Sequence, residues 1–587
     1  MSPFTTRPVI QARRGVVTSG HYLATSTGIR AFAQGGNAFD AAVATCLVLN
    51  LVEPQNNGLG GEAPTLIYVG KEKKVYAVSG MGWSPQALTI EWCRQNGIDL
   101  IPGDGYLPAC VPAMVDTLCL LLARFGRLSF AQVAAPAIEL AEEGFPVYEG
   151  LRHVISNAAQ LFTERYPSTG KIYLPGGRAP EEGELLRNPD WAATLRRMCR
   201  AEANCPKGRI AGIEAARDVF YSGEIAERMV DYISTQPVLD ASGKAHTGLL
   251  SLNDLSEWHA ALEDSVSLVY HGMEVHKCSS WTQGPVLLQQ LAILEGFDLE
   301  KMGHNTAEYL HTWIECAKLA FADREAYYGD PQFDDVPFDI LLSAQYAAQR
   351  RSLIGETASA ELRPGDVGSG IPEYALRSVL DDNRFSLNRL SHIGDTTHLD
   401  TADAEGNMVA CTPSGGWFMS SPVIDGLGFP LGTRAQMFYL NPQRPNALAP
   451  HKRPRATLTP TLVTVEGQPF LAFGTQGGDA QDQWTLQFFL NHVEFGMDLQ
   501  AALDAPTVHS EHFPSSFYPR EAHPRLVSVE SRIPVAVQEK LERRGHLISL
   551  AGDWAHGRVL AAGFNLKTGM IQAAASPRQG IPYAFGW

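Results

Sequence analysis

Several common signatures are missing from this 587-residue chain, and each absence removes a class of function. No Cys-x-x-Cys pair occurs. The nine cysteines (Cys46, Cys93, Cys110, Cys119, Cys199, Cys205, Cys278, Cys316 and Cys411) are odd in number and scattered, against a disulfide framework or a zinc site. Reduced thiols in a cytoplasmic protein are the simplest reading. No apolar run follows Met1-Ser2-Pro3-Phe4-Thr5-Thr6-Arg7-Pro8, so no signal peptide is expected. The most apolar stretch, Val111 to Ala123, is short and carries Asp116, which does not suit a membrane span. Basic residues are outnumbered by acidic ones, 47 against 63, and the net charge is −16. That balance speaks against nucleic acid and anionic membrane surfaces as partners. The Gly-x-x-x-x-Gly-Lys phosphate loop is absent. His304, His311 and His398 lack metal-ligand spacing, so neither cofactor nor metal is expected.

What remains is a globular composition, 45% hydrophobic and 19% charged, on a chain long enough for several layers. Helices are expected over Leu23–Gln34 and Ala38–Leu51, with Gly35-Gly36-Asn37 as stop and restart. The Gly-rich turn Asn56 to Gly61 precedes a hairpin of Pro64–Val69 and Lys74–Ser79. Residues 110–340 read as mostly helical, most clearly from Asn305, a candidate cap, to Glu325. Asp323-Arg324-Glu325 on that helix fits either an ion-pair network or a solvated face. From Glu356 to Ile393 the chain is polar and rich in Gly, Pro, Asp, Arg and Ser, as in a connector. Beyond it come strand pairs, Thr396–Asp403 with Met408–Pro413 and Leu458–Val465 with Pro469–Phe473, then a helix from Ala480 to about Glu494.

The chemistry centres on Gly394-Asp395-Thr396-Thr397-His398. A threonine hydroxyl is a weak nucleophile without an adjacent base. A cut before Thr396 would free an α-amino group beside that hydroxyl, with a pKa near neutrality suited to taking its proton. By residues alone, Thr-Thr-His is also an ordinary β-branched strand opening. The second motif, Gly474-Thr475-Gln476-Gly477-Gly478-Asp479, links a strand to a helix start. Backbone N–H groups there can meet an oxyanion, aided by the helix N-terminus, although a plain tight turn has the same pattern.

Together these pieces resemble the γ-glutamyltransferase family of N-terminal nucleophile hydrolases. The resemblance begins with Gly35-Gly36-Asn37-Ala38-Phe39-Asp40-Ala41-Ala42-Val43, then Val52-Glu53-Pro54-Gln55 and Gly58-Leu59-Gly60-Gly61. It continues through Leu140 to Val147, Phe220 to Ala226 and Gly303-His304-Asn305, and is sharpest at Gly394 to His398, Lys452-Arg453-Pro454 and Gly474 to Gly478. The resemblance implies an α+β fold, a four-layer α-β-β-α sandwich. It implies a precursor cut into a large subunit, 1–395, and a small catalytic one, 396–587, that stay together, with a dimer of such heterodimers as an open option. Thr396 would form an acyl-enzyme with an amide substrate, and Gly477 and Gly478 would serve its oxyanion. Ser414 falls where the family has a hydroxyl bonded to the nucleophile.

Recognition residues depart from the family. Ser79-Gly80-Met81-Gly82-Trp83-Ser84-Pro85 lacks the arginine that helps bind the glutamate α-carboxylate. The family's Asn and Asp positions are Gly416 and Tyr439 here, Gln436 is kept, and the two serine positions are Ala456 and Thr457. Arg434 could replace the missing cation, or form a structural ion pair. Arg434, Thr457 and Trp83 are therefore the substrate-binding candidates. The expected activity is γ-glutamyl amide cleavage on glutathione-like donors, with an acylase for another carboxylated amide, such as a glutaryl amide, as the alternative. A silent scaffold is the third reading.

Overall fold

The computed structural model describes residues 4–377, 395–578 and 581–587. Two seven-stranded sheets form its centre. Their strands are β1 (Ile10–Ala12), β2 (Gly15–Ser19), β3 (Thr65–Val69), β4 (Lys74–Val78), β5 (Leu262–Glu263), β6 (Val266–Tyr270), β7 (Met273–Lys277), β8 (Leu399–Asp403), β9 (Met408–Cys411), β10 (Thr461–Val465), β11 (Gln468–Gly474), β12 (Leu560–Phe564), β13 (Ile571–Ala575) and β14 (Tyr583–Gly586). One sheet runs β1-β13-β12-β11-β10-β7-β6 and the other β14-β2-β8-β9-β3-β4-β5. Each contains strands from both sides of Thr396.

The side-chain alternation of the strands builds the layers. Leu66, Tyr68, Ala402, Met408, Leu462, Ala472 and Ala562 share one buried cluster between the two sheets. The intervening residues Ile67, Val69, Leu399 and Val409 face outward and pack on helices, including α1 (Tyr22–Ala33) and α2 (Ala38–Val52). On the other sheet, Val463, Leu471 and Phe473 face α3 (Pro285–Leu294), α4 (Ala307–Tyr327) and α5 (Gln481–Val493). Helices thus cover both outer faces, which gives the α-β-β-α order implied by the family resemblance.

The break between α1 and α2 has a local cause. Gly35 adopts φ +89°, and Asn37 then caps α2 by accepting from the Phe39 and Asp40 amides while the Asp40 carboxylate accepts from Asn37 N–H. Asp40 also accepts from the Arg127 and Leu128 amides, tying this restart to a distant loop.

Two readings need correction, and a third is decided in favour of the ion-pair network. The stretch 110–340 holds helices, but it also supplies β5, β6 and β7. The β6–β7 hairpin turns at His271-Gly272, both at positive φ, +49° and +79°, as a two-residue turn requires. Asn305 does not cap α4. It sits at φ +53° with its amide donating to Pro506 O, while Thr306 accepts from Tyr309 N and is the cap. Asp323-Arg324-Glu325 is buried, not solvated. Of the polar connector, the part before residue 378 includes a short helix, Glu373–Arg377, and residues 378–394 lie outside the described residues.

Candidate active site

Thr396 lies just before β8, buried at 2% exposure, where the backbone makes three adjacent rungs. Ser414 bridges antiparallel to Glu62 on one side and to Thr396 on the other. The Ser414 amide donates to Glu62 O and the Glu62 amide to Ser414 O, both at 2.9 Å, and the Thr397 amide donates to Pro413 O at 3.1 Å. Backbone pairing therefore fixes Ser414 against the threonine. The Thr396 and Ser414 hydroxyl oxygens are 3.1 Å apart, and Ser414 Oγ donates to the Asp395 carbonyl, also at 3.1 Å. That carbonyl belongs to the bond expected to be cut.

Arg434 completes the cluster. Its Nη2 donates to Ser414 Oγ at 2.5 Å, its Nε donates to the Glu62 carboxylate, and all three side chains are buried. Its guanidinium lies over the rings of Trp417 and Phe517, 4.7 and 5.7 Å from their centroids. Burial pushes the Glu62 carboxyl up, and the Arg434 charge and hydrogen bond oppose this. Glu62 occupies a slot made of glycines. A Cβ at Gly415, which has φ +71°, would come within 2.4 Å of its carboxylate oxygens. The sequence Gly58-Leu59-Gly60-Gly61 thus serves close backbone approach, since a Cβ at Gly61 would meet Ser414 O at 2.1 Å.

The glycine pair follows β11. Gly477 and Gly478 adopt φ +117° and +54°, and added Cβ atoms would meet Trp484 at 2.1 Å and Phe517 at 2.9 Å. Neither position accommodates a side chain. Next to them, Asp479 forms a buried ion pair with Arg324 of α4 and accepts from the Ser516 amide and hydroxyl at 2.8 and 2.6 Å. Arg324 also donates to Gln283 at 2.7 Å and pairs with Glu325, which in turn binds Arg455 at 2.8 Å and the Tyr439 hydroxyl. Burial pushes the Glu325 carboxyl up, but Arg455 and Arg324 together hold it well below the usual range. The network anchors the glycine loop to a long helix.

Behind Thr396, the Gly477 N–H donates to the Asp395 carboxylate. Burial pushes that carboxyl up to about 6, with Arg558 opposing and Glu53 adding to the rise. Arg558 is itself held by Glu53, at 2.9 Å, and by Gln476. His398 supports the strand: it bonds Asp400 at 2.8 Å and Thr412 at 2.9 Å, and lies against Gly474.

The structure therefore links Thr396 to Arg434 through Ser414, which touches both, with Gly477 reached through Asp395 and Gly478 following it. The other two candidates make different contacts. Trp83 donates from its indole to Asp254 O at 3.1 Å and stacks on His451 at 4.4 Å. Thr457 is buried, beside the single bridge between Thr282 and Ala456. Gln436 is committed to Thr433, Gly103 and the Tyr518 amide. Sequence reasoning missed Glu62 and Phe517, and held the Arg324 network as one of two readings. A lone acid after Gly60-Gly61 was the available signal for the first.

This layered fold, with a threonine at the start of an inner strand, defines an N-terminal nucleophile hydrolase. Residues 24–584 match the family model for γ-glutamyltranspeptidase, and the chain belongs to that family. It is 32% identical over 572 residues to the glutathione hydrolase-like YwrD proenzyme of Bacillus subtilis (strain 168), covering 96% of this chain and 97% of that one. It is 30% identical over 583 residues to the acylase ACY 1 proenzyme of Pseudomonas sp. (strain SE83), covering 97% and 93%. The solved cephalosporin acylase from Bacillus halodurans superposes with a TM-score of 0.83 at 30% identity, covering 100% of this chain and 98% of that one. The protein is thus an enzyme, a hydrolase of this class related to both glutathione hydrolases and acylases.

Proposed function

We propose that the chain cuts itself before Thr396 and then uses the freed threonine to cleave γ-glutamyl amides such as glutathione. The contacts of Ser414 with both the Thr396 hydroxyl and the Asp395 carbonyl carry this reading. In turnover the Thr396 α-amino group takes the hydroxyl proton, the oxygen attacks the amide carbon, and the departing amine takes that proton. The Gly477 and Gly478 amides stabilise the oxyanion. Water or an amine acceptor then releases the acyl group. The proposed location is the cytoplasm, in keeping with nine unpaired cysteines.

A second substrate reading, a glutaryl-type acylase, is favoured by one observation. Tyr439, at one of the glutamate-binding positions, is engaged with Glu325, and Arg434, the candidate replacement for the missing cation, with Glu62. Steady-state kinetics on γ-glutamyl and glutaryl anilides separates the two. Turnover of the glutaryl compound without the γ-glutamyl one overturns the first reading.

A further inference from the structure

Three hydrogen bonds meet at the Ser414 oxygen, and a serine hydroxyl has one proton to give. Arg434 Nη2 can only donate, so at 2.5 Å it takes one Ser414 lone pair. The Asp395 carbonyl can only accept, so at 3.1 Å it takes the Ser414 proton. The second lone pair is left for the Thr396 hydroxyl, 3.1 Å away, to donate to. No other donor order satisfies all three contacts. Meanwhile the Gly477 N–H is spent on the side-chain carboxylate of Asp395, not on its backbone carbonyl.

The geometry points to separate donor sets for the two reactions of one threonine: Arg434 and Ser414 serve self-cleavage, and the Gly477–Gly478 amides serve substrate only after the cut. This rests on the proposed cleavage before Thr396. As Thr396 Oγ1 bonds to the Asp395 carbonyl carbon, its proton passes to Ser414 Oγ, and the Ser414 proton passes to the carbonyl oxygen. The tetrahedral adduct is therefore reached without separating charge. On collapse the C–N bond breaks, the adduct hydroxyl proton returns through Ser414, and the leaving nitrogen of Thr396 gains a proton. The product is an ester of Asp395 on Thr396 Oγ1 with a free α-amino group. One water then hydrolyses the ester, leaving the Asp395 α-carboxylate and the Thr396 hydroxyl.

Arg434 touches neither reacting atom and is a positioning residue. It takes one Ser414 lone pair and so keeps the Ser414 proton aimed at the Asp395 oxygen. Glu62, held in its glycine slot, fixes Arg434 in turn. This gives Arg434 a role in processing, in place of a carboxylate anchor for substrate.

The test follows full-length chains from cell-free synthesis on denaturing gels over time. Arg434→Met should cut about a hundredfold more slowly than the wild type, the cost of letting the Ser414 hydroxyl turn away from the reacting atoms. Arg434→Lys should fall between, and guanidinium ion at sub-denaturing concentration should speed the Met variant while an equal ionic strength of sodium chloride does not. Ser414→Ala should be slow and unresponsive to guanidinium, and Ser414→Thr should cut readily. The inference is overturned if Arg434→Met cuts at the wild-type rate, or if neither lysine nor guanidinium restores it. Should Arg434→Met be insoluble, rapid cutting by Ser414→Ala overturns it as well. Two bands from Thr396→Ala would instead defeat the underlying assignment of the nucleophile, which keeps the two failures distinct.

Discussion

The backbone supports of Thr396 and the side chains packed around Arg434 are built by different means. Glu62, Ser414 and Thr396 are neighbours because their backbones pair, with glycines at 60, 61, 415 and 416 allowing the close approach. Trp417, Met437 and Phe517 form instead a small cluster of side chains beside the Arg434 guanidinium. Backbone pairing fixes atoms regardless of most side chains, whereas a side-chain cluster can be recomposed without refolding the sheets. The nucleophile's support can therefore be kept while the side chains around it change.

The largest effect expected on the nucleophile side is from Thr396→Ala. It should give one full-length band and lower turnover by roughly 10⁴-fold or more, read by gel and by anilide hydrolysis. Gly477→Ala comes next, because a Cβ there meets Trp484 at 2.1 Å and the backbone has φ +117°. It should lower kcat by about 10²- to 10³-fold, because the clash moves the N–H, which alanine keeps, away from the oxyanion. If kcat is unchanged, the amide of Gly477 plays no part in turnover.

Arg324→Met tests whether the glycine loop depends on its anchor. It leaves Asp479 and Glu325 buried with fewer partners and should cost about 3–5 kcal/mol in denaturant unfolding. A smaller loss would mean that Arg455 and Ser516 suffice.

The smallest effect concerns pH. The Asp395 carboxyl is raised from 3.8 to about 6 by burial in the folded chain. A raised folded pKa adds stability that is full below the unfolded value and lost as pH climbs to the folded one. In the Thr396→Ala background, the precursor should therefore lose about 1–3 kcal/mol between pH 4 and 6 relative to the same chain with Asp395→Asn. Parallel stability curves for the two would show that the carboxylate is not confined.

Much of this was legible in the sequence where spacing is local. The cap at Asn37, the hairpin of β3 and β4, and the strands after Thr396 follow from periods and turn residues. Ser414 was found through family order, since no local pattern marks it, whereas the glycine pair stood out as a strand-to-helix turn that family order then singled out. The β6–β7 hairpin was hidden because its strands are short and sit within a helical stretch. The Glu62–Arg434 pair joins residues 372 positions apart, and no pattern in one sequence reports such a contact. Asn305 misled because Asn is a good cap by type, yet the next residue, Thr306, had the required extended backbone.

Both sheets interleave strands from the two sides of the proposed cut: β2 pairs with β8 and with β14, and β1 with β13. Cleavage before Thr396 removes one covalent bond and no strand pairing. It does, however, change the molecularity of unfolding. The intact precursor unfolds to one chain, whereas the cut enzyme unfolds to two, so its melting temperature should rise with protein concentration and its reassembly should follow second-order kinetics. Maturation would thereby make an enzyme whose native state is easily regained before the cut and concentration-limited after it.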